Sequence, residues 1–237
     1  YAEIIKYGFI ENKKFFVWLK KNGDKILKLQ NKACTKAIKE SCKIKSNIVS
    51  EDEKEKGRRE ILNFGHTFGH ALESITGFSK KLNHGESIFL GMYLAIKFSI
   101  FLGYCKENII KEYTNHLEKL NISYKFSDYN IKLTPKLLLK HLKLDKKVRE
   151  KKLRFILLSD IGKVKLYTLK DEKILLDFLK KEIPSADIEV HIDIGDTSKN
   201  ATRHLVETAK GWVKGMGFEV KIKPNSWASS VADWHTK

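Results

Sequence analysis

The sequence predicts a mainly α-helical domain carrying one small β-hairpin, followed by a short α/β segment of order β-α-β-α. Three observations predict it. Apolar residues before Pro184 recur at three- and four-residue intervals, the period of helices that bury one face. In that region only Arg154–Leu158 and Lys163–Thr168 read as strands, about a turn at Asp160–Gly162. Composition then shifts: from Pro184 onward seven Lys/Arg balance seven Asp/Glu, so the whole +17 net charge lies earlier, and three of the four tryptophans lie later. Such a shift marks a boundary between residues 1–183 and 184–237.

With 237 residues and 42% hydrophobic content, the chain is long enough for a real core. The longest apolar run, Ile88 to Tyr104, is broken by Lys97 and Ser99, which argues against a membrane span, and no signal peptide is recognisable. Cys34, Cys42 and Cys105 are scattered without a CxxC pair, so a reducing cytoplasm and three small buried thiols are expected. The lysines are spread along helices without a dense basic block, which argues against nucleic acid and for a solvated surface whose positive field suits an anionic substrate. The first residues already read as helix, as expected of a gene fragment.

Taken in order, Tyr1–Leu19 reads as a helix with Ile4, Ile5, Phe9, Phe16 and Leu19 on its apolar side, and Asn22-Gly23-Asp24 as a turn. Glu3 and Lys6 share a face of that helix, the spacing of an ordinary ion pair. Ile26 to Val49 reads as one long helix with the stripe Ile26, Leu29, Ala33, Ile38, Cys42, Val49. Lys45 falls on that stripe, where it either snorkels or meets an anion. Ser50–Gly57 is a charged link. Arg59–Glu73 forms a helix ending near Gly77, and Gly85–Gly103 a deeply buried one. Glu107–Leu120 is amphipathic. Thr134-Pro135 opens a helix running to Leu144, with proline at a tolerated first-turn position. Asp171–Ile183 closes the domain.

The central stretch carries the chemistry. Arg59, Asn63, His66 and His70 are spaced four, three and four apart, which on a continuous helix makes one polar stripe between buried Ile61, Leu62, Phe64, Phe68 and Leu72. Gly65 and Gly69 each cost about 1 kcal/mol within a helix, which implies close approach by another helix or a ligand. His84 follows in a short loop. Two imidazoles and a carboxylate are a common catalytic zinc set; on spacing alone His66 pairs with His70, and His84 or a glutamate completes the site. The alternative is a pair of satisfied histidines on a glycine packing seam.

The ordered set Ala2-Glu3 with Lys6-Tyr7-Gly8, GHTFGHALE at 65–73, Asn83-His84-Gly85-Glu86, Gly91-Met92 and the DKK run at 145–147 resembles 3-dehydroquinate synthase, from Tyr1 to about Ile183. That family is a metal- and NAD-dependent cyclase of the shikimate pathway, acting on a seven-carbon keto-acid sugar phosphate with elimination of phosphate. The resemblance implies the family's C-terminal helical fold. It implies Glu3, His66 and His84 as ligands of Zn2+ or Co2+, and Lys6, Lys45, Arg59, Asn63, His70 and Lys146 as contacts of the anionic substrate. Lys146 is preferred over Lys147. The family's glycine-rich NAD-binding half has no counterpart in these residues: Gly215-Met216-Gly217 follows a helix, the wrong context for a dinucleotide loop. Metal binding without turnover is therefore expected of the isolated chain. The family's helical half commonly dimerises, so a homodimer is an implied assembly.

Beyond residue 184, Asp187–Ile194, Thr202–Met216, Phe218–Ile222 and Ser226–Thr236 read as strand, helix, strand and helix. These roughly 50 residues resemble part of an uncharacterised ribonuclease-H-like bacterial family. Asp193 and Asp233 are either remnants of its carboxylate metal site or plain surface acids. Rival readings of the whole are another sugar-phosphate cyclase, an iron-dependent alcohol or glycerol dehydrogenase, and a non-catalytic basic nucleic-acid-binding protein. The inward lysine, Arg59 and DKK cluster argues against the dehydrogenase, since a simple alcohol needs no anion clamp.

Overall fold

A computed structural model describes residues 1–54, 57–146, 152–183, 189–195, 205–215 and 219–223; the side chains of residues 145, 146, 189, 193–195, 219 and 223 are left aside. The chain divides into two compact units, Tyr1–Glu182 and Ile183–Lys237.

In the first unit, α1 (Ala2–Ile10) and α2 (Lys13–Leu27) replace the single helix expected over Tyr1–Leu19. Asn12 breaks the run by accepting the Phe15 amide at 2.9 Å, an N-cap that restarts the helix. The turn expected at Asn22–Asp24 lies inside α2, because Gly23 is packed beneath Tyr1, Leu120 and His116. The chain reverses later, at Leu29, which takes a positive φ of 55°. The next helix, α3, therefore begins at Asn31 and runs to Glu51. Its buried face is Ala33, Ala37, Ile44 and Ile48, not the expected stripe; Ile38 and Leu29 are exposed, and Lys45 and Cys42 lie on the solvent side. Cys34 and Cys105 are half-buried, and all three thiols are free.

The expected helix over Arg59–Glu73 is in fact two elements. Arg58–Asn63 forms a 3₁₀ helix, and α4 (His66–Ile75) starts after Gly65, which sits in the left-handed region at φ 81°. The cause is steric: α5 (His84–Phe101) crosses here so closely that a Cβ on Gly91 would lie 2.0 Å from the Gly65 carbonyl oxygen. The close approach that the glycines imply is thus helix against helix. Asn83 and Glu86 close a capping box at the start of α5, so His84 is its first residue and not part of a loop.

Around α5 the rest is layered. α6 (Asn108–Lys119) contributes Tyr113, whose hydroxyl donates to the Phe89 carbonyl at 2.8 Å. α7 (Pro135–Lys146) packs on α4 through buried Leu138 and Leu142. β1 (Arg154–Asp160) and β2 (Lys163–Thr168) form the antiparallel hairpin, with Arg154 opposite Thr168. Phe155–Leu158 is a continuous buried run, so β1 is covered on both faces. Its Leu158 amide is satisfied by the buried Ser99 hydroxyl of α5 at 2.9 Å. α8 (Glu172–Glu182) closes the unit, and Phe68, Phe98, Phe155 and Phe178 meet in its core with centroids 4.8–6.3 Å apart.

In the second unit, β3 (Glu189–Gly195) and β4 (Glu219–Lys223) pair in parallel, Glu189 opposite Glu219, with α9 (Val206–Gly215) between them in sequence. α9 buries Val206 and Val213 and leaves Trp212 exposed. Asp193 falls on β3, its side chain not described; Asp233 and the helix expected at Ser226–Thr236 lie outside the described residues. Among the described residues no helix is long and apolar enough to cross a membrane.

Candidate metal centre

Three helix starts converge on one point. Glu3 lies in the first turn of α1, His66 opens α4 and His84 opens α5. One ligand atom from each of the three lies within 4.8 Å of the others. His66 Nε2 stands 3.2 Å from Glu3 Oε1, close to the ~3.3 Å between two donors of a tetrahedral zinc. The rings of His66 and His84 lie 5.8 Å apart. His66 is the first residue after the break at Gly65.

The partners of these groups leave the facing atoms over. Lys6, buried, donates to Glu3 Oε2 at 2.6 Å. Glu3 Oε1 is buried without a hydrogen bond, although it is 3.2 Å from an imidazole nitrogen. His66 Nδ1 faces the Phe64 carbonyl at 3.2 Å and His84 Nδ1 faces Glu73 Oε1 at 2.9 Å. Each imidazole thus donates from Nδ1 and presents the lone pair of Nε2, the state required of a metal ligand. An orphaned carboxylate oxygen beside two such nitrogens fits a divalent, nitrogen- and oxygen-tolerant ion such as Zn2+ or Co2+. Burial pushes the Glu3 carboxyl up, and the Lys6 ammonium beside it opposes that and helps hold it below the usual carboxylate range. Burial lowers Lys6, Glu3 opposes that, and the nearby Lys45 adds to the lowering.

The other expected site residues are placed as follows. His70 is one turn beyond His66, its ring 5.4 Å away, and lines a cavity of about 480 Å³ with Glu73, Ser74, Phe78, His141 and Leu144. Lys45 is exposed on α3, within electrostatic reach of Lys6. Arg59 donates from its guanidinium to the Glu53 carbonyl at 3.0 Å, and Asn63 is exposed; on the 3₁₀ helix neither continues the stripe of α4. Lys146 ends α7, its side chain not described, and Lys147 lies outside the described residues. Sequence reasoning missed Glu73 and the Ser74–His141 pair, which joins α4 to α7 at 2.8 Å. The spacing of Glu73, three after His70 and seven after His66, was the available signal.

A histidine-and-carboxylate cluster formed where helix starts meet, beside a cavity lined by His70, Glu73 and His141, is an arrangement able to hold a metal ion. Residues 1–148 match the family model described as 3-dehydroquinate synthase C-terminal, and the chain belongs to that family. It is 41% identical over 174 residues to the 3-dehydroquinate synthase of Thermoanaerobacter pseudethanolicus, covering 73% of this chain and 48% of that protein. With the Pelagibacter ubique enzyme it shares 40% identity over 184 residues, 77% of this chain and 50% of the relative. The chain thus spans about half the length of the curated relatives it matches. Among solved structures, 2-epi-5-epi-valiolone synthase from Streptomyces hygroscopicus, with NAD+ and Zn2+ bound, superposes with a TM-score of 0.66 at 19% identity, over 77% of this chain and 50% of that one, which shows the fold. A 2-deoxy-scyllo-inosose synthase complexed with carbaglucose-6-phosphate, NAD+ and Co2+ gives 0.59 at 25% identity, over 77% and 51%. Residues 164–237 match a ribonuclease H-like model, a span that reaches further back than the expected 50 residues, into β2.

Proposed function

We propose that this chain is the metal- and substrate-binding half of a cytoplasmic 3-dehydroquinate synthase, acting on a seven-carbon keto-acid sugar phosphate. The observation that carries the reading is the convergence of Glu3, His66 and His84 with their facing donor atoms left over. A metal held there would polarise a substrate carbonyl and favour ionisation of a bound hydroxyl. The chain's own residues supply the rest. Lys6 anchors the Glu3 carboxylate and, with Lys45, presents positive charge to an anion. Arg59 would exchange its bond to a neutral carbonyl for a charge-assisted, two-pronged one to the substrate carboxylate. Asn63 would hydrogen-bond the substrate, and His70 and Lys146 would contact its phosphate.

The 237 residues hold no glycine-rich strand-to-helix loop of the kind that cradles a dinucleotide. Three free thiols accord with a reducing compartment. Since the relatives are named 3-dehydroquinate synthase, the dehydrogenase and nucleic-acid readings are not favoured.

The test is phosphate release from the sugar-phosphate substrate with NAD and Co2+. The chain alone should give none. The chain mixed with the N-terminal half of the Thermoanaerobacter pseudethanolicus relative should restore it, and His66→Ala should abolish the restored rate. A restored rate indifferent to His66→Ala and to chelator would overturn the reading.

A further inference from the structure

Glu73 belongs to none of the groups described above as ligand or substrate contact, yet its carboxylate is bonded to one of the three candidate ligands. Oε1 lies 2.9 Å from His84 Nδ1, and Glu73 is 13% exposed against 54% for the histidine. An exposed imidazole on the first residue of a helix has several rotamers open to it; a largely buried carboxylate that holds one nitrogen removes them. Local physics does not favour Glu73 where it is. It sits in the last turn of α4, where the helix dipole disfavours negative charge, and among the described residues its ion-pair partner is His84 and not a lysine or arginine. A residue that opposes its local setting in this way answers to something else in the structure.

We propose that Glu73 is a positioning residue for the metal centre: it fixes the His84 tautomer and ring orientation so that Nε2 faces Glu3 and His66. The inference rests on the metal reading above. It makes the three ligands alike in design, since Glu3 is held by Lys6, His66 by the Phe64 carbonyl and His84 by Glu73. Of the two imidazoles it makes His84 the one whose orientation depends on a side chain, because His66 is steadied by backbone and by its own place beside buried Gly65.

The test is Co2+ titration of the full chain, read from the visible absorption of the bound ion, with thermal melting of the metal-free protein alongside. Glu73→Gln, which keeps an acceptor but loses the charge, should weaken Co2+ by on the order of 10-fold, and Glu73→Ala by up to ~100-fold. Both metal-free variants should melt as the wild type does, and Ser74→Ala, one residue along the same turn, should bind Co2+ as the wild type does. Wild-type affinity in both Glu73 variants would overturn the inference and leave the metal reading standing. A loss of affinity that merely tracks a lowered melting temperature, or that Ser74→Ala reproduces, would also overturn it. A folded wild-type chain that takes up no Co2+ would overturn the metal reading and this inference with it.

Discussion

Gly91→Ala should both destabilise the helical unit and loosen its metal centre. The added Cβ would stand 2.0 Å from the Gly65 carbonyl oxygen, 2.8 Å from the Gly69 nitrogen and 3.0 Å from the Gly65 carbonyl carbon. All three are backbone atoms, so no rotamer change relieves the clash. Real Cβ atoms essentially never come under 3.0 Å, so α4 and α5 must part by about 1 Å. A gap of that size forfeits a quarter to a half of each dispersion contact along the seam, and overpacking of this kind costs about 3 kcal/mol. For a unit of this length that corresponds to a Tm lowered by about 6–12 °C. The same carbonyl, directly before His66, accepts the Gly69 amide at 2.9 Å in the first turn of α4. Cobalt affinity should therefore fall together with Tm. Gly85→Ala is the control: its Cβ would meet only Asn83 Oδ1 at 3.5 Å, so stability should be unchanged or rise by about 1 kcal/mol from helix propensity. Circular dichroism melts and Co2+ titrations measure both. A Gly91→Ala chain that melts with the wild type would refute the argument that the helix crossing sets the break at Gly65.

Two further predictions concern buried polar groups. Burial, then Lys20 and Lys119, push His116 down to about 4, so between pH 6.5 and 4 the unfolded chain binds the extra proton; stability is complete above about 6.5 and is lost as pH falls to about 4, by at most about 3 kcal/mol. Urea melts across that range should show the slope, and His116→Gln should flatten it. Ser99→Ala removes the acceptor of the buried Leu158 amide and should cost about 1–3 kcal/mol in the same melts; an unchanged midpoint would mean that the hairpin is not tied to α5 through this bond.

The elements between Gly85 and Ile183 were legible because each signal there is local: the apolar run from Gly85, Pro135 in a first turn, and β-rich runs about Asp160–Gly162. What failed was set by contacts distant in sequence. Nothing near Gly23 says that Tyr1 and Leu120 will press on it and keep α2 helical through an Asn-Gly-Asp signal. The stripe of α3 slipped because Leu29, a good helix former, ends α2 at positive φ, and the register restarts at Asn31. The four-residue stripe through Arg59 and His70 assumed an unbroken helix, and Gly91 on another element breaks it. The metal cluster itself could not follow from spacing, since Glu3, His66 and His84 come from three helices; family resemblance named that trio, while spacing favoured His66 with His70.

That contrast supplies the most direct test of the central claim. Stoichiometry of Co2+ or Zn2+ bound by the purified chain should be measured for wild type, Glu3→Ala, His66→Ala, His84→Ala and His70→Ala. The account predicts one ion per chain in the wild type and in His70→Ala, and its loss in the other three. Retention of the ion in His84→Ala with loss in His70→Ala would contradict it, and would return the centre to the neighbouring pair on α4.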